Sequence, residues 1–119
     1  MADSTTTIEA LKNSVKKFGD DREWQQFHSP KNLSMSIASE AAEVIDLFLW
    51  CESAASYDEL EKRRQEVEDE IADVAIMTLV FCVRHNIDLS KAIAHKQIEA
   101  AAKYPIEKCK GKSLKYNQL

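Results

Sequence analysis

The chain has 119 residues, which fits one domain with a thin core, so assembly with further copies is expected. Hydrophobic residues make up 45% of it, with only two Gly and two Pro, which argues against turn-rich β architectures and for an all-α antiparallel bundle of about four helices. A net charge of −4 without a basic helix face gives no expectation of a nucleic-acid partner, and no apolar run approaches the roughly 18 residues of a membrane span.

In chain order, residues 1–7 are expected to be flexible. They lack the basic and apolar regions of a secretion signal. Thr6-Thr7-Ile8-Glu9 fits a capping box and predicts a helix to about Phe18, with Gly19 as its stop. An aromatic-rich connector or short helix follows through Trp24, Phe27 and His28. Ser29-Pro30 supplies an N-cap and a proline at the first helical position, predicting a helix to about Cys51. After the polar loop "ESAASY", Ser56-Tyr57-Asp58-Glu59 fits a second capping box. It predicts one long helix to about His85, ended by Asn86 in the left-handed conformation. Asp88 caps a last helix to about Lys103, before Pro105 and a basic, partly ordered tail over 105–119. No linker divides the chain, so 1–119 reads as a single domain. Cys51, Cys82 and Cys109 form no C-x-x-C pair and read as reduced thiols of a cytoplasmic protein.

Charge is unevenly placed. Glu40–Asp73 holds 12 acids and 3 bases, and Lys103–Leu119 holds 5 lysines and 1 acid. An acidic middle with a basic tail suits a cation and an anion bound together, although on charge alone a solvated helix face and a loose basic tail are the simpler account.

The two middle helices repeat one pattern. Ile37-x-x-Glu40-Ala41-x-Glu43-Val44-x-x-Leu47 matches Val67-x-x-Glu70-Ile71-x-Asp73-Val74-x-x-Met77. At about 100° per residue, Glu40 and Glu70 fall inside the apolar stripes, with Glu43 and Asp73 at the edges. An isolated E-x-x-E is usually a solvated helix face. Two pairs in matched registers, without an Arg or Lys in either stripe, are harder to explain that way. Burying like charges unpaired is costly, and a hard divalent cation is the simplest neutralising partner. Mg²⁺ suits an oxygen ligand set shared with phosphates, with Mn²⁺ as a possible substitute. A di-iron site would want Glu-x-x-His, and His28, His85 and His95 lack that spacing. No Gly-rich phosphate loop, G-x-S-x-G or H-E-x-x-H is present.

Glu40-x-x-Glu43 with Glu70-x-x-Asp73 resembles the E-x-x-E…E-x-x-D signature of the MazG-like all-α nucleoside triphosphate pyrophosphohydrolases. "REWQQFHSPKNL", "LFLW", "EVEDEIADV" and "GKSLKYNQL" resemble its dCTP pyrophosphatase branch, over roughly Asp21–Leu119. The resemblance implies hydrolysis of a nucleoside triphosphate to monophosphate and pyrophosphate. Glu40, Glu43, Glu70 and Asp73 would hold Mg²⁺, with one of them, unassigned, as general base. Trp24 and Trp50 would help form a base pocket, where flat rings can stack on a nucleobase. His28, just before the metal helix, is expected to bind substrate, and Lys31 and Asn32 at the helix N-terminus could meet phosphate or base edges or simply be exposed. Lys96 would contact phosphate, and Tyr104, Lys112, Lys115 and Tyr116 would close over the site, in their own subunit or a neighbour's. The family's assemblies imply a homo-oligomer, at least a dimer and by expectation a tetramer as a dimer of dimers.

Three positions depart from relatives: Val15 where some have His, Met77 where some have Tyr, and Ala100 where many have Asn. They bear on base and sugar choice, not on the carboxylates. The expected activity is hydrolysis of dCTP or a 5-modified dCTP in nucleotide-pool sanitation. Its alternatives are a dUTP-preferring or broad dNTP enzyme and, from another class, a noncatalytic helical interaction module.

Overall fold

A computed structural model describes residues 1–119 as all-α, helices joined by turns with no strand, in two compact units, Met1–Ile87 and Asp88–Leu119. The first unit contains α1 (Ile8–Asp20), a 3-10 turn (Trp24–Phe27), α2 (Pro30–Asp46), α3 (Ser53–Lys62) and α4 (Arg64–Arg84). The second contains α5 (Leu89–Lys103), α6 (Ile106–Cys109) and a terminal 3-10 turn (Tyr116–Gln118). No helix is long and apolar enough to cross a membrane.

Local chemistry accounts for most boundaries. The Ser29 hydroxyl accepts from the Asn32 amide with Pro30 in the first turn, and Asp88 accepts from the Lys91 amide, both as expected. Asn86 has φ 56°, the left-handed stop predicted for it.

Four expectations are corrected. The cap of α1 is Thr7, accepting from Ala10, because the Thr6 hydroxyl instead accepts from the Ala2 amide in the N-terminal turn. Helix α1 does not stop at Gly19 but runs through it to Asp20, and Gly19 is buried. Helix α2 ends at Asp46, not Cys51. Beyond it the chain tightens into i to i+3 hydrogen bonds from Leu47, Phe48 and Cys51, and the Leu47 carbonyl accepts from the Arg63 guanidinium.

The long helix predicted from Ser56 is two helices. Ser56 lies inside α3, where its hydroxyl bonds the Ser53 carbonyl, and α3 starts after Glu52. The break falls at Arg63, at φ −117° and ψ 29°. Arg63 there reaches the end of α2 and pairs with Glu59 and Glu66.

Helix α4 packs antiparallel along α2 and also against α1. The Arg63 contact joins the start of α4 to the end of α2, and His85 joins its end to the start of α2. The apolar stripes of α2 and α4 meet between them. Leu33 on α2, Leu47 at its C-cap, and Val67, Leu79, Val80 and Cys82 on α4 are buried, Leu33 almost completely at 1% exposure. All three cysteines are free.

Candidate active site

Helices α2 and α4 each place a carboxylate where a stripe of this spacing would carry a core residue. Leu33, Ile37, Glu40, Val44 and Leu47 follow one another at three- and four-residue steps on α2. Val67, Glu70, Val74 and Met77 do so on α4. Glu40 and Glu70 are half-buried, and Glu43 and Asp73 are exposed at the edge. Antiparallel packing brings the two pairs opposite each other. One carboxylate oxygen from each of the four lies within 4.8 Å of the others.

No lysine or arginine of this unit pairs with any of the four. Glu70 is held above the usual carboxylate range, first by the adjacent Glu43 carboxylate and then by desolvation. Glu40 is raised too, chiefly by loss of water and then by the charges of Glu43 and Asp73. Ionised, the Glu70 Oε2 atom is buried without any hydrogen-bond partner. A cluster of four acids with an orphaned buried oxygen and no organic cation fits a hard divalent ion held by oxygen ligands.

A cleft of about 610 Å³ opens between the first half of α2, the second half of α4, α1 and the 3-10 turn. Its walls are mainly apolar, from Phe18, Trp24, Phe27, Ile76, Met77 and Val80, with Ser14, His28, Asn32 and Ser36 as polar edges. Ser36 lies one turn before Glu40 and Met77 one turn after Asp73, so the cleft begins about 6 Å along the helices from the carboxylates.

Of the remaining expected residues, Trp24, His28 and Asn32 line this cleft. Trp24 is set edge-on to Phe18, with ring centroids 5.8 Å apart, and the Arg22 guanidinium covers the other ring partner, Phe18, at 3.6 Å. The Asn32 side chain donates to the Phe27 carbonyl, which ties the 3-10 turn to α2. Lys31 is exposed in the first turn of α2. Trp50 does not line the cleft. It lies past the opposite end of α2 with its side chain 93% exposed.

Lys96, Tyr104, Lys112, Lys115 and Tyr116 belong to the second unit. There Lys96 pairs with Glu99, and the Tyr104 hydroxyl accepts from the Tyr116 amide, the two rings meeting edge-on. Lys103 sits 4.9 Å from the Tyr116 ring centre, and Lys112 and Lys115 are exposed.

Sequence reasoning missed Arg84. Its Nε donates to His28 Nδ1 at 3.0 Å and its Nη1 to Asp20 Oδ1 at 2.7 Å, behind the cleft wall. Asp20 is thereby held below its ordinary pKa, by Lys16 first and Arg84 second. The one signal available was Gly19. A glycine inside a helical pattern suggests close approach, and a Cβ here would lie 2.8 Å from Arg84 Nη2.

A sequence profile of the MazG-like family matches residues 35–119, which include all four carboxylates. The chain is similar to dCTP pyrophosphatase 1 of Rattus norvegicus, 30% identical over 95% of this chain and 68% of the relative. The protein of that name from Homo sapiens is 28% identical over the same shares. The fold is similar to that of a pyrophosphatase from Archaeoglobus fulgidus, with a TM-score of 0.81 and 37% identity, covering 88% of this chain and 98% of that one. Sequence and fold agree, and the chain belongs to the MazG-like family.

Proposed function

We propose that this chain is a Mg²⁺-dependent deoxynucleoside triphosphate pyrophosphohydrolase acting on dCTP or a 5-modified dCTP. The convergence of Glu40, Glu43, Glu70 and Asp73 within 4.8 Å, one turn from an apolar cleft, carries the reading. The relatives are named dCTP pyrophosphatase and pyrophosphatase, and the family resemblance implies cleavage to monophosphate and pyrophosphate. The four carboxylates would hold the metal, which when bound supplies charge neutralisation at the phosphates and acidifies water. The residues of the chain divide the remaining work. Trp24 and Phe27 offer flat apolar surface to a base, and Asn32 and Ser36 offer polar contacts between base and phosphates. A carboxylate of the cluster takes the proton of the water that attacks the α-phosphorus, and pyrophosphate departs. Lys31 would add positive charge for the triphosphate, and the family resemblance alone assigns Lys96, Lys112 and Lys115 to phosphate and Tyr104 and Tyr116 to closure, in their own subunit or a neighbour's.

The working form in this reading is a cytoplasmic homo-oligomer, at least a dimer and by family resemblance a tetramer. Its support is an exposed apolar stripe through Met35, Ala38, Ala42 and Ile45 on α2 and Leu49 in the turn that follows it. A second reading, a broad or dUTP-preferring enzyme, draws on Val15 and Met77, which both line the cleft and are apolar where some relatives are polar.

The test is incubation with each dNTP and NTP plus Mg²⁺, with the products resolved. Monophosphate with pyrophosphate is expected, fastest for dCTP or its 5-modified forms, and lost in Glu43→Gln and Asp73→Asn. Orthophosphate with diphosphate, or no turnover, overturns the reading.

A further inference from the structure

His28 lines the cleft, yet its ring is held from behind. Arg84 is nine-tenths buried and an obligate donor, and its Nε lies 3.0 Å from His28 Nδ1. An arginine can meet a ring nitrogen in this way only if that nitrogen is bare. The Nδ1 atom of His28 therefore accepts, and in the neutral ring the proton sits on Nε2. No protein atom accepts from that Nε2, and it is not among the buried unsatisfied atoms.

Three further contacts fix the geometry. Asp20 anchors the Arg84 guanidinium from α1. The His28 carbonyl can only accept, so His85 Nε2 donates to it from α4 at 2.9 Å. Gly19 leaves the space for Arg84 Nη2 and the His28 ring.

We propose that Arg84 is a positioning residue that locks His28 as the neutral Nε2–H tautomer, so that the cleft offers a fixed hydrogen-bond donor to an acceptor atom of the nucleotide. This rests on the cleft being the nucleotide site. Arg84 itself touches no substrate. The charged and titratable groups facing His28 are Arg84 and His85 from α4 and Asp20 from α1. Desolvation, then Arg84, hold its pKa below the ordinary 6.5. Asp20 opposes them and His85 adds to them.

The full chain, labelled with ¹⁵N-histidine and free of nucleotide, gives the tautomer from long-range ¹H–¹⁵N spectra, with His28→Gln assigning the signal. The neutral Nε2–H form at pH 7 is expected. The Nδ1–H form or the cation overturns the proposal, whether or not any Arg84 variant folds. In Arg84→Gln, KM for dCTP rises roughly tenfold, the loss of one hydrogen bond, with kcat within about twofold. Arg84→Lys keeps a charge for Asp20 but not the planar fork. If it restores KM while His28 loses its tautomer, Arg84 is merely structural and the positioning role is wrong. Because the tautomer is read without nucleotide, its failure is distinct from failure of the pyrophosphohydrolase reading, which shows as absent turnover.

Discussion

Glu70 carries an unusual burden for a single side chain. It occupies a core position of α4, its Oε2 is buried without a partner, and Glu43 holds its pKa up. Glu70→Gln removes a charge from a repulsive cluster, so without divalent cations the variant is expected to melt no lower than the parent. With Mg²⁺ added, the parent's melting temperature rises and the variant's does not, and turnover falls by at least about a hundredfold. A variant that keeps both the thermal shift and turnover would refute the metal assignment.

Gly19 gives a second test at this scale. Alanine usually gains about 0.8–1 kcal/mol over glycine inside a helix. Here its Cβ would lie 2.8 Å from Nη2 of the Arg84 guanidinium, which hydrogen bonds through Nε and Nη1 hold in place. Losing one charge-assisted bond costs about 1.5–3 kcal/mol, so Gly19→Ala is expected to lower stability in urea unfolding by roughly 1 kcal/mol.

His28 and Asp20 set a pH dependence of known sign. Both have lowered folded pKa values, so the unfolded chain binds their protons more readily. Their stabilisation is complete above the unfolded values, 6.5 for His28 and 3.8 for Asp20, and fades as pH falls below each towards the folded value. Glu40 and Glu70, raised instead, act in the opposite direction. The informative quantity is therefore the difference in melting temperature between parent and His28→Gln. It is expected to shrink as pH drops below 6.5, and a constant difference would contradict the assignment.

At the scale of elements, legibility followed the range of the interactions. The caps at Ser29 and Asp88 and the stop at Asn86 are local, and the chain announces them. The carboxylates were legible because helical spacing and stripe register are local as well, and packing only had to align two stripes. What was hidden depends on partners distant in sequence. The end of α2 and the break between α3 and α4 meet at Arg63, whose contact with the Leu47 carbonyl has no counterpart in either local pattern. Arg84 meets Asp20 and His28 from the far end of α4. The capping-box pattern points to Thr6, but the Ala2 amide claims its hydroxyl and Thr7 caps instead. Arg63→Ala is expected to lower the melting temperature only modestly, because the side chain is about a third exposed and its ion pairs are screened. Circular dichroism melts would check it, and an unchanged melting temperature would show that the break needs no such tie.

At the scale of the whole molecule, the outer face of α2 is the surface left to explain. Met35, Ala38, Ala42, Ile45 and Leu49 recur at alternating three- and four-residue steps, the seam of a helix that packs on a helix. The inner stripe already meets α4, so the first unit leaves this second stripe without a partner of its own. Trp50 follows at the same end, too exposed to serve as core. A second copy of the same stripe is the partner that the proposed oligomer supplies, and a twofold contact would bury both at once. Ile45→Glu combined with Leu49→Glu places charge on the seam while leaving α2's inner face intact. The parent is expected to run as a dimer or tetramer in size exclusion with light scattering. The double variant should run as a smaller species with its helical content kept. If the exposed Trp50 of one copy serves the cleft of another, that smaller species also loses affinity for dCTP while the isolated carboxylate cluster still binds Mg²⁺. A monomeric parent, or a variant that assembles as the parent does, would remove α2's outer face from the interface.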